Sequence, residues 1–177
     1  MYAETLSLIA GLPARRPSPD LPGQLCVLFQ RLSGAGTAAE AATAEDNIWS
    51  LWMRHRNVAA ERVLDLATTD IAARRFDIAE TRLTKLLRSC CDFAEAWNKR
   101  ATLYYMLGRD EESISDIRHT LELEPRHFGA LAEFGEICLA RGDKEAALLG
   151  FRAALRLHPR LENVTKTCRS LLSGGSG

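Results

Sequence analysis

Apolar side chains recur at steps of three and four along most of this chain, the spacing that gathers them on one face of an α-helix. Trp97, Ala101 and Tyr104 form one such run, and Ile114, Ile117 and Leu121 form the next. Gly108 separates them, where a glycine lets a helix end in a left-handed residue at little steric cost. Asp110, Glu111 and Glu112 then load the start of the second run with negative charge that suits a helix dipole. Pro125 stops that run, because proline has no amide hydrogen and its ring clashes with the preceding turn. The pattern predicts two short amphipathic helices joined by a tight turn.

The whole unit returns 34 residues later: Trp97 aligns with Leu131, Ala101 with Gly135, Gly108 with Gly142, Ile117 with Phe151 and Pro125 with Pro159. Small residues at Ala101, Gly135, Ala147 and Ala154 allow paired helices to approach closely. One further step of 34 toward the N-terminus puts Val63 under Trp97 and Leu83 under Ile117, but Arg74 under the turn glycine and Cys91 under the closing proline. A third, more worn copy is therefore expected. The repeats are placed over residues 58–161, as about 60–93, 94–127 and 128–161. An array of this kind buries each unit only against its neighbours, so its ends need covers.

Residues 24–57 supply the expected N-terminal cover. Leu25, Leu28, Phe29 and Leu32 mark a short helix ended by Ser33, Gly34 and Gly36, and Thr37 with Glu40 forms a capping box for a longer one carrying Ile48, Leu51, Trp52 and His55. These helices are expected to cover the exposed flank of the worn first repeat. At the other end, residues 162–172 read as a capping helix with Val164, Cys168, Leu171 and Leu172 facing inward. Residues 1–23 hold Pro13, Pro17, Pro19 and Pro22, which favour an extended arm, and residues 173–177 read as a flexible tail.

Composition narrows the function classes. In 177 residues, 23 basic and 23 acidic side chains give a net charge of zero. Each segment stays within two charges of balance, so neutrality is local, which argues against nucleic acid as the main partner. No apolar run approaches the roughly 20 residues that span a bilayer, and the start lacks the positive charge of a secretory signal, so a cytoplasmic location is expected unless such a signal has been trimmed. Cys26, Cys90, Cys91, Cys138 and Cys168 lack the spacing of a zinc site or a redox dithiol, and His55, His119, His127 and His158 lack ligand spacing. Phosphate-binding glycine loops and HExxH or GxSxG motifs are absent from the sequence. No catalytic residue, metal ligand or cofactor site is assigned, and the expectation is a protein that is not an enzyme.

The order of aromatic, leucine and small residue, tyrosine, turn glycine, alanine, aromatic and closing proline resembles the tetratricopeptide repeat. Trp97, Ala101, Tyr104, Gly108, Ile117 and Pro125 carry it in one copy. Leu131, Phe134, Gly135, Gly142, Ala147, Phe151, Ala154 and Pro159 carry it in the next. Arg100 departs from the usual leucine, Ser113 and Thr120 stand in small-residue slots, and Cys138 stands in the tyrosine slot. Over about residues 25–160 the chain is similar to small bacterial and plant members of that family. The resemblance implies an all-α fold, a right-handed solenoid of antiparallel helix pairs with N- and C-terminal capping helices, whose first helices line a concave groove that holds a protein or peptide segment.

Mapped on this chain, that groove is Leu64, Thr68, Ile71, Glu95, Asn98, Lys99, Thr102, Tyr105, Met106, Glu133, Glu136 and Leu139. Members that hold the acidic tails of heat-shock chaperones use lysine, asparagine and arginine on this face. The corresponding places here hold Leu64, Thr68, Lys99, Gly129 and Glu133, so no such tail is expected to bind. The function implied is a non-enzymatic interaction module, scaffold or adaptor. The alternative is a self-assembling protein that forms a homodimer through its terminal helices.

Overall fold

The computed structural model describes residues 2–173, and among these it contains ten α-helices and no strand. They are α1 (Tyr2–Gly11), α2 (Gln24–Gly34), α3 (Ala38–Trp52), α4 (Val58–Ala72), α5 (Phe76–Ser89), α6 (Ala94–Met106), α7 (Asp110–Leu123), α8 (Phe128–Ala140), α9 (Lys144–Leu157) and α10 (Glu162–Ser173). The pairs α4/α5, α6/α7 and α8/α9 pack tightly within themselves, and α4, α6 and α8 lie side by side. Thr37 caps α3 through the expected capping box with Glu40.

The turn inside each pair uses one backbone solution. Gly108 and Gly142 adopt φ of 70° and 80°, and Arg74, in the same slot of the worn copy, adopts 57°. The first repeat thus keeps the left-handed turn while using a side chain that disfavours it. Arg100 keeps its head paired inside the array. Its guanidinium grips Asp116 of α7 at 2.6 and 3.0 Å and reaches Thr84 of α5 at 3.3 Å, linking the first two pairs.

The N-terminal segment overturns two expectations. Residues 2–11 are helix, followed by a short 3₁₀ turn at Leu12–Ala14, instead of a flexible arm. The prolines begin only at Pro13, and before them Thr5, Leu8, Ile9 and Leu12 form a buried stripe. α1 packs against α7 and α9. There Tyr2 stacks on Phe134 and donates its hydroxyl to Asp143 at 2.7 Å. The segment after it stays irregular up to α2, tied down where the Ser18 amide donates to the Leu123 carbonyl.

The second correction concerns α2 and α3, which do not cover the first repeat. α3 runs along the edge of the array where each pair connects to the next, meeting the connections in reverse order. Cys90, Glu124 and His158 occupy one repeat slot, 34 residues apart. α3 itself meets two of them, the Trp52 indole approaching Glu124 at 3.4 Å and Glu45 meeting His158 at 3.0 Å, and His55 in the loop just beyond α3 reaches Asp92, two residues past Cys90, at 3.4 Å. Glu45 and Trp52 are seven residues apart, about 10 Å along a helix, close to the separation of packed helices. α3 is thus a strap whose length matches the repeat spacing. α10 buries Val164 and Cys168 as expected, but Leu172 is exposed, and Gly174–Gly177 of the expected tail lie outside the described residues.

Candidate functional site

The groove was expected on the first helices α4, α6 and α8, and the structure covers one end of that face and leaves the other end open. At the closed end α3 inserts its tryptophans. Trp52, 2% exposed, stacks on the His127 ring at 4.0 Å. Trp49 packs edge-on against His127 and Phe128, and its ring carries the Lys99 ammonium at 5.4 Å. Gly129 admits this contact, since a Cβ there would lie 2.8 Å from the Trp49 ring.

Beneath the tryptophans lies a buried polar cluster. Glu95 is fully buried, and it accepts from Asn98 at 3.2 Å, from Lys99 at 3.1 Å and from His127 Nε2 at 2.8 Å. The other His127 nitrogen, Nδ1, accepts the Ala130 amide at 3.1 Å and caps α8, which leaves the ring proton on Nε2 for Glu95. Burial works to raise the Glu95 carboxyl, but the His127 bond and the Lys99 charge outweigh it and hold the group below the usual carboxylate range. A buried charge with three partners is costly to expose, so this cluster fixes α3 to α6 and α8.

Several expected groove residues are therefore not on the surface. Leu64, Glu95 and Asn98 are buried, Leu64 in the core of the first pair and the other two in the polar cluster. Lys99 is spent on Glu95 and Trp49. Thr102 donates to Glu133 at 2.8 Å and Ser113 donates to it at 3.3 Å, so Glu133 bridges α6, α7 and α8. Burial pushes the Glu133 carboxyl up to about 7, against the pull of these hydroxyls. At neutral pH it is close to half protonated, a poor anionic anchor.

The remaining residues form the open end. Ile71, Tyr105 and Leu139 occupy one slot, 34 residues apart, across α4, α6 and α8. Tyr105 is 38% and Met106 47% exposed, while Thr68, Ile71, Glu136 and Leu139 are half-buried. The Tyr105 hydroxyl is pushed up by burial first and then by the neighbouring acids Glu136, Glu133 and Asp110. The sequence reading missed the buried roles of His127 and His158 and the plugging role of Trp49. Two tryptophans three residues apart on a short cover helix, Trp49 and Trp52, are the one hint it offered, being more aromatic surface than such a helix needs for itself.

Among the described residues no group of His, Cys, Asp and Glu is arranged to hold a metal ion, and no helix is long and apolar enough to cross a membrane. No protein-family model matches the chain. A TPR repeat-containing protein of Rhizobium etli is 30% identical over 145 residues, covering 82% of this chain and 71% of the relative. Two solved structures share the fold at lower identity. The first TPR of Spaghetti (RPAP3), bound to the HSP90 peptide SRMEEVD, superposes with a TM-score of 0.63 at 19% identity, covering 67% of this chain and 94% of that one. MamA superposes with a TM-score of 0.54 at 18% identity, covering 90% of this chain and 85% of that one. The 34-residue helix pairs with their shared left-handed turn, together with the Rhizobium relative, place this chain among the TPR repeat-containing proteins, the tetratricopeptide repeat family.

Proposed function

We propose that this protein is a non-enzymatic interaction module that holds a segment of another protein against the open end of its concave face. One observation carries the reading: Ile71, Tyr105 and Leu139 present one apolar side chain from each of three parallel neighbours, beside the half-buried Glu136 and the exposed Met106. Adjacent packed helices are about 10 Å apart, the distance covered by three residues of extended chain. The segment that fits is extended, with apolar side chains three residues apart and a basic group opposite Glu136. The solved relative that holds the HSP90 peptide SRMEEVD supports a peptide as the class of ligand.

An acidic tail of that kind is a poor fit here. Of the clamp positions, Leu64 is buried, Lys99 is paired with Glu95, Gly129 lies against Trp49 and Glu133 is an acid. A calorimetric titration with SRMEEVD should show no binding at about 100 μM, and micromolar binding would reject this part of the reading.

The open end is tested by photo-crosslinking from position 105, with Tyr105→Ala and Glu136→Lys as variants in affinity capture. Each variant should weaken capture of the crosslinked partner about tenfold while the unfolding temperature stays within a degree or two, because these side chains carry little of the core. Glu133→Lys is not a clean probe, since it would bury a charge at the α6/α7/α8 junction. Undiminished capture by both variants would remove the open end as the binding surface.

A further inference from the structure

The first helix pair is bare on the side away from α6. The strap formed by α3 passes along the connecting edge and leaves the outer faces of α4 and α5 uncovered, although repeat arrays need a polar end unit or a cover there. Val58, Leu66 and Ile78 are 57%, 50% and 45% exposed. Between the two helices opens a cavity of about 660 Å³, with Val63, Ile78 and Leu86 among its walls. Asp77 and Lys85 also line it.

We propose that a second copy of this chain covers this face, with α5 packed antiparallel on α5 of the second copy about a two-fold axis. The charges of α5 select that arrangement. Asp77 stands near its start and Lys85 near its end, about 12 Å apart, with no ion-pair partner recorded for either among the described residues. A two-fold axis at Thr81, midway between them, sets each Asp77 against Lys85 of the second copy. A parallel arrangement would set like charges together, which costs affinity. Each Ile78 then lies one turn from the axis, about 9 Å along the helices from its counterpart, where it packs on the second copy beside the cavity it lines. This dimer differs from one through the terminal helices, because α1 is already committed to α7 and α9.

The footprint is small. Two helices of 14 and 15 residues present a face about 20 Å square, which buries on the order of 1,000 Å² in total, at the low end for specific association. A micromolar dissociation constant is expected.

Sedimentation velocity on the full chain, taken up to about 100 μM, tests the proposal. The wild-type chain should show a concentration-dependent dimer. Ile78→Glu should abolish it, with an unchanged far-ultraviolet circular dichroism spectrum confirming the fold. Asp77→Lys and Lys85→Asp should each weaken the dimer about tenfold, and the double exchange in one chain should restore it. A chain that stays monomeric throughout, or a dimer that Ile78→Glu does not weaken, overturns the proposal. Failure of the double exchange to restore affinity overturns the antiparallel pairing.

Discussion

Around the second and third pairs the core contains Phe29, Trp52, Phe128, Phe134 and Phe151, and it draws on the four cover helices α1, α2, α3 and α10 as well as four array helices. The first pair has a separate core of Ala60, Leu64, Ala67, Ala79, Leu83 and neighbours, closed by Phe93 and the inner side of α6. The two regions follow the same 34-residue plan, yet one is buttressed on two sides and the other stands free on its outer face. Aromatic side chains bury more area each, and a side chain enclosed by several elements gains contacts that a two-helix unit cannot supply. Nearest-neighbour stability, the usual expectation for a repeat array, therefore fails at α1 and α3, which tie several units at once. The first pair should open at lower free energy than the rest, as a local unit.

Trp52→Ala is the strongest way to break the contrast. It removes the ring stacked on His127 and packed against Phe128, both inside the larger core, and should cost about 3–5 kcal/mol in denaturant unfolding. Amide hydrogen exchange should then quicken in α3, α8 and α9 with little change in α5. Equal quickening in α5 would show that the two regions form one cooperative unit.

Glu133→Gln sharpens the contrast by adding pH. An unfolded glutamate releases its proton at about 4.3, whereas the folded carboxyl of Glu133 holds it to about 7. Between these values the folded state binds more protons, so the Glu133 contribution is full below about pH 4.3 and is lost as the pH rises through 7. Glutamine cannot ionise. The variant should match wild type near pH 4 and exceed it by on the order of 3 kcal/mol above pH 7, in thermal melts across that range. A constant difference at every pH would place the proton elsewhere.

The smallest effect is at the turn of the weak unit. Arg74→Gly replaces a side chain at φ 57° and should stabilise the chain by about 0.5–1 kcal/mol, whereas Gly108→Ala at φ 70° should destabilise it by a similar amount. If Arg74→Gly is destabilising, the contact of its guanidinium over the Phe76 ring outweighs the backbone strain.

The repeat was readable because it is local. Helix periodicity, the glycine at 108 and 142, the proline at 125 and 159 and the Thr37 capping box all act within a turn or two of their own position. α1 was hidden by its neighbourhood, since the prolines from Pro13 onward masked the amphipathic stretch before them. In the groove, Tyr105 and Met106 were placed on the exposed part of the face by their slot alone. Glu95 and Asn98 on the same helix fell inside, because what lies over a slot depends on a distant element, and Leu64 fell inside because it packs into the core of its own pair.

Sequence alone determined that the chain folds as helix pairs on a 34-residue period, because that information is carried by spacing and by residues with special backbone freedom. Tertiary structure decided where the three N-terminal helices go. α3 reads the repeat from outside, meeting Glu124 with Trp52 and His158 with Glu45, and so covers one end of the face formed by α4, α6 and α8 and leaves the outer side of α4 and α5 bare. No pattern within α3 specifies that choice. Its apolar face would suit either flank, and the partners that select one, the buried Glu95–His127 pair and the gap at Gly129, are assembled only when α6 and α8 are already side by side.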